Sequence, residues 1–85
     1  MTTKTVDEWC AEQVGRHSIN IEDANDREIV REHFRIATEP YDDDDYRSST
    51  YIEGDEGADE FVYGDSKSIA EAEKACIQVI YEASQ

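Results

Sequence analysis

A chain of 85 residues has room for one small domain and a modest core, so residues 1–85 are read as a single unit. Its 22 acidic against 8 basic residues give a net charge of -14, which repels nucleic acid and anionic membrane and favours basic surfaces. No apolar run approaches the ~20 residues of a bilayer span, and the start "MTTKTVDEWC" lacks an apolar signal core, so a cytoplasmic location is expected.

In chain order, "TVDEWCAEQVG" opens with Thr5 and Glu8 in capping-box spacing. Val6, Trp9, Cys10 and Val14 share one face, and Gly15 supplies a stop. "SINI" (Ser18 to Ile21) is a candidate strand. Asn20, Asp23 and Asn25 are candidate N-caps for a second helix, expected from Ala24 to Thr38 and ended by Pro40. Arg27, Arg31 and Arg35 line another face of it, beside Glu28 and Glu32.

"RSSTYIEGDEGADEFVYGD" then reads as a hairpin, with Gly54 and Gly57 in the turn. Alternation places Thr50 and Ile52 on one face against Tyr51 and Glu53, and Phe61 and Tyr63 opposite Val62, so one face can be buried while the other stays wet. In "DSKSIAEAEKACIQVIYEASQ", Ser68 and Glu71 suggest a second capping box. Ile69, Ala72, Cys76, Val79, Ile80 and Ala83 form a helical stripe. The expected class is α+β in the order α-α-β-β-α, a small antiparallel sheet packed against two to three helices. Cys10 and Cys76 fall in helical stripes and read as reduced, buried thiols.

The charge is uneven. Residues 1–38 hold 8 acids and 5 bases, and residues 66–85 hold 3 acids and 2 bases. Residues 39–65 hold 11 acids and only Arg47, a net of -10. One end or edge of the hairpin is therefore expected to be nearly all negative. Carboxylates at alternate strand positions stand ~6.6 Å apart, a series able to imitate the regular charge of a nucleic-acid backbone. Tyrosines beside them supply stiff, amphipathic contact area. The candidate partner-binding residues are Tyr41, Asp42, Asp43, Asp44, Asp45, Tyr46, Tyr51, Glu53, Asp55, Glu56, Asp59 and Glu60.

Other chemistries find little support. "DDDDYR" lacks the glycine of a calcium-binding helix–loop–helix, and "EGDEGADE" lacks its alternation. His17 and His33 have no zinc-like spacing to the cysteines. No phosphate loop, nucleophile elbow or H-E-x-x-H occurs. No enzyme, metal or cofactor is expected.

The stretches "EPYDDDDY", "IEGDEGADE" and "SIAEAEKACIQVIYEA" make the chain resemble small acidic phage-encoded inhibitors of host defence, the DNA-mimic anti-CRISPR proteins among them. That resemblance implies stoichiometric blocking of a nucleic-acid-binding surface on a CRISPR effector or host nuclease, with no direct nucleic-acid binding. In length, acidity and tyrosines the chain also resembles the immunity proteins that mask basic nucleases, although their paired-tyrosine-proline motif is absent. A salt-adapted domain is a third reading, at odds with the uneven charge. The open edges of so short a sheet leave room for a homodimer.

Overall fold

The computed structural model describes residues 4–53, 57 and 59–84. Its elements are α1 (Val6–Val14), α2 (Ala24–Phe34), β1 (Ala37–Pro40), β2 (Tyr46–Glu53), β3 (Asp59–Ser66) and α3 (Ile69–Ala83). The strands form one antiparallel sheet in the order β1-β2-β3. This is the expected α+β class with one strand more than the hairpin.

Local chemistry sets the helix ends. The Thr5 hydroxyl accepts from the Glu8 N–H at 3.2 Å, while the Glu8 carboxylate accepts from the Thr5 N–H at 3.1 Å. Gly15, with φ of 72°, closes α1 in the left-handed region. Asp23 caps α2 through the Asp26 N–H. Ser68 caps α3 through the Glu71 N–H at 3.1 Å. The Glu71 carboxylate pairs with Lys74 at 2.8 Å, so only half of the expected second box forms.

Helix α2 stops at Phe34, four residues before the expected Thr38, and Pro40 lies within β1. Arg35 takes a left-handed conformation with φ of 58°. A non-glycine residue there costs ~1–2 kcal/mol. Three observed interactions offset that cost. Ile36 enters the core, its N–H donates to the Arg31 carbonyl at 2.9 Å, and the Thr50 hydroxyl donates to the Phe34 carbonyl at 2.6 Å. The freed residues 37–40 pair with β2, from Ala37 opposite Ser49 to Pro40 opposite Tyr46. They supply the third strand, a role expected of Ser18–Ile21.

Residues 18–21 form no strand, because side chains satisfy their backbone. Asp26 Oδ2 accepts from the Asn20 N–H at 3.0 Å, and Asp7 Oδ1 accepts from the Ile21 N–H at 3.1 Å. Ile19 and Ile21 are buried in the core.

Helix α3 covers one face of the sheet, lying across β2 and β3, and α1 and α2 pack against α3 and each other. Ser48, Thr50, Val62 and Gly64 point toward the helices and are buried. Val62 joins Cys76, Ile77 and Ile80 of α3 in one core cluster with Cys10, Val30 and Ile36. Ile69 and Ala83, the two ends of the expected stripe, are exposed, and Ile77 is buried in their place. Trp9 is half-buried and stacks on Phe34, with centroids 5.6 Å apart and planes 6° apart. The buried hydroxyl of Ser48 meets that of Thr38 at 2.6 Å. No buried side-chain polar atom among the described residues lacks a partner.

Arginines fasten α2 to α3. Arg27 Nε donates to Glu73 at 3.2 Å, and its Nη1 donates to the Ile21 carbonyl at 2.9 Å. Arg31 reaches Glu73 at 3.5 Å and Glu28 at 3.5 Å. This face of α2 is thus largely an internal junction. Among the described residues, no helix is long and apolar enough to cross a membrane.

Candidate protein-binding face

Strand alternation decides which side chains the sheet turns away from the helices. Helix α3 sits so close to β3 that a Cβ on Gly64 would lie 2.4 Å from the Cys76 backbone nitrogen. Gly64 and Val62 therefore face the helices, and Phe61, Tyr63 and Asp65 face outward. On β2 the outward set is Arg47, Ser49, Tyr51 and Glu53.

The outward residues form a continuous strip. Tyr51 lies opposite Phe61, with ring centroids 5.3 Å apart. Phe61 meets Tyr63 at 5.8 Å. The Arg47 guanidinium lies 4.2 Å from the Tyr63 ring centre and 3.6 Å from that of Tyr41. Tyr51 is 65% exposed, Tyr41 56%, Phe61 47% and Tyr63 46%. Large rings left in water on one sheet face form the kind of patch that marks an interaction surface.

Arg47 is forked on the Asp65 carboxylate, with Nε to Oδ1 at 2.7 Å and Nη2 to Oδ2 at 3.0 Å. Those bonds push the arginine's pKa further up and hold the Asp65 carboxyl below its ordinary value. The pair locks the Tyr41 end of the strip.

Acidic segments flank it. Asp42–Asp45 form the connection between β1 and β2, closed by the Tyr41 N–H donating to the Asp45 carbonyl at 2.9 Å. The Asp42 carboxylate accepts from the Asp43 N–H at 2.8 Å. Asp42, Asp43 and Asp44 are exposed, while Asp45 is half-buried. At the far end of the sheet, Glu53 and Asp59 face each other across β2 and β3. Asp55 and Glu56 lie outside the described residues.

The two acidic ends are separated by the length of β2, about 23 Å at ~3.3 Å per residue. This corrects the expectation of a single negative end or edge. The separation exceeds the Debye length of ~8 Å at physiological salt, so the two ends are screened from one another.

The structure thus brings Tyr41, Tyr51, Glu53 and Asp59 onto one outward strip and places Asp42–Asp45 at its border. Tyr46 has the helix-facing alternation and is half-buried. Glu60 shares that helix-facing alternation, opposite Ile52, and is exposed. Arg47, Phe61, Tyr63 and Asp65 join the strip although none is among the sequence candidates. Alternation grouped Phe61 with Tyr63, but the outward choice rests on Gly64, whose lack of a side chain admits the helix backbone.

Among the described residues, no group of three or more His, Cys, Asp or Glu side chains is arranged to hold a metal ion. His17 and His33 are exposed, and His33 meets the Phe34 ring edge-on at 4.8 Å. Cys10 and Cys76 are free and buried. No family model, no curated protein and no solved structure matches this chain.

Proposed function

We propose that the protein is a stoichiometric inhibitor that occupies a nucleic-acid-binding surface on a basic protein, such as a CRISPR effector or a nuclease. The observation that carries this reading is the exposed aromatic strip, left uncovered by the helices and flanked by carboxylates at both ends. Protein interfaces commonly join an apolar, aromatic centre to a polar rim. Here the rings supply contact area, and the carboxylates meet lysines and arginines that otherwise hold phosphate. Inhibition is by occupancy and needs no chemical step.

The acidic ends also steer a basic partner toward the strip, a long-range effect that salt weakens. Capture from host lysate at ~50 and ~300 mM salt tests the reading, because that range strips electrostatic contacts. The expected result is a basic nucleic-acid-binding protein retained at low salt and displaced by duplex DNA. Its identity separates a CRISPR effector from a nuclease of the immunity-protein kind. Retention that DNA does not disturb, or folding that itself requires molar salt, overturns the reading.

A further inference from the structure

Within the chain, Arg47 already shows how this face holds a guanidinium. The Tyr41 and Tyr63 rings lie 3.6 and 4.2 Å from its central carbon. The Asp65 carboxylate takes its edge through two bonds of 2.7 and 3.0 Å. A planar cation uses its faces for the rings and its N–H edge for the carboxylate.

The other end of the strip repeats those parts. Tyr51 and Phe61 form a tilted pair at 5.3 Å and 59°. The next outward pair is Glu53 and Asp59, ~6.6 Å further along the strands. Neither carboxylate makes an ion pair among the described residues. Beside the rings, Ala37 and Ser49 face each other across β1 and β2. They are small and help form a cleft of about 430 Å³ that Tyr51, Phe61 and Asp59 also line, together with Phe34 and Arg35.

We propose that Tyr51, Phe61, Glu53 and Asp59 recognise an arginine side chain of the basic partner. The guanidinium stacks on the two rings and donates from its edge to the carboxylates. The inference rests on the reading of the face as a binder of basic proteins, and it names the side chain that the face selects. Lysine fits less well, because its ammonium is a compact, strongly hydrated point charge without a flat face. Arg35 lines the same cleft and carries the ligand's charge, so it opposes binding.

The test is amide-resolved NMR titration of the full chain with blocked hexa-arginine, hexalysine and hexacitrulline peptides at ~50 mM salt. Hexa-arginine is expected to shift Tyr51, Glu53, Asp59 and Phe61 and to bind about fivefold more tightly than hexalysine, the equivalent of ~1 kcal/mol of cation–π attraction. Hexacitrulline, isosteric and uncharged, is expected not to bind. The double variant Tyr51→Leu, Phe61→Leu keeps apolar area but removes the rings, and should bring hexa-arginine affinity down to that of hexalysine. Arg35→Ala should tighten hexa-arginine binding. Equal affinities for the two cationic peptides, or shifts confined to Asp42–Asp45, overturn the arginine site while leaving the basic-partner reading intact. Failure of both cationic peptides to bind overturns the two together.

Discussion

Replacing Gly64 by alanine strikes the contact that orients the whole sheet. The added Cβ would stand 2.4 Å from the Cys76 nitrogen and 2.6 Å from both the carbonyl carbon and the Cβ of Ala75. Carbon atoms at optimal contact are ~3.5–4.0 Å apart, so α3 must retreat by about 1 Å where it crosses β3. Two of the three obstructing atoms are helix backbone, which cannot rotate aside like the tip of a side chain. The retreat loosens Ala72, Cys76, Ile77 and Ile80 together. Overpacking commonly costs ~1–3 kcal/mol, and a backbone clash places this variant at the upper end. At ~4–8 °C per kcal/mol for a domain of this size, 3 kcal/mol lowers the melting temperature by about 12–24 °C. Thermal unfolding followed by circular dichroism measures it. Adding Ala75→Gly removes one of the three contacts and should recover only part of the loss. A drop below ~4 °C, equivalent to under 1 kcal/mol, would refute the close approach and, with it, the reason Phe61 and Tyr63 face outward.

Four further outcomes are expected. Arg27→Ala leaves Glu73 without its nearest partner at a site where both side chains are little exposed, 11% and 13%. Arg31 still reaches Glu73 at 3.5 Å, so the cost is that of a hydrogen bond to a charged group, ~1.5–3 kcal/mol, measurable by urea unfolding, whereas a loss below ~0.5 kcal/mol, typical of exposed pairs, would contradict the fastening of α2 to α3. Burial and then the Asp7 charge push the Cys10 thiol up to about 12, and burial pushes Cys76 up to about 11. Neither should react with an aromatic disulfide reagent near the ~8.5 pKa of a free thiol until the chain unfolds. Arg47 holds the Asp65 carboxyl below its ordinary 3.8, so the associated stability is present above that value and lost as pH falls through the lower folded-state value. Carboxyl NMR titration should show Arg47→Gln returning Asp65 toward 3.8; no movement would contradict the forked pair. Replacing Asp42–Asp45 by asparagine keeps an oxygen for the Asp43 N–H, so the fold should persist while partner association slows and loses salt dependence, as stopped-flow binding would reveal.

Much of the fold was legible because short-range chemistry specified it. Thr5, Asp23 and Ser68 mark helix starts by their hydroxyl or carboxylate, and Gly15 marks a stop by its freedom at positive φ. The end of α2 was not legible, because Arg35 adopts the left-handed region against its own preference. The Ile36 burial, the Thr50 bond and the β1–β2 pairing that favour it come from distant parts of the chain. Ser18–Ile21 misled for the opposite reason. Its apolar alternation is real, but Asp7 and Asp26 satisfy its backbone where a neighbouring strand was expected.

The acidic character of the candidate face was visible in the charge count, and its geometry was not. A count along the chain cannot distinguish two ends of a strand from one patch, and the strand length separates Asp42–Asp45 from Glu53 and Asp59. In the sequence Arg47 stands out only as a lone base among acids, whereas its position opposite Asp65 makes it the organiser of Tyr41 and Tyr63. Tyr46 was grouped with the other tyrosines by composition, and strand alternation turns it the other way.

The proposed function requires the open sheet face to displace nucleic acid from a basic partner. Fluorescence anisotropy of labelled duplex DNA bound to the captured partner, titrated with the protein, tests it most directly. Release of the duplex at one protein per partner is expected, with weaker release when Tyr51 and Phe61 are both replaced by alanine in a chain that still folds. DNA that stays bound, or release by that double variant as complete as by the native chain, would contradict it.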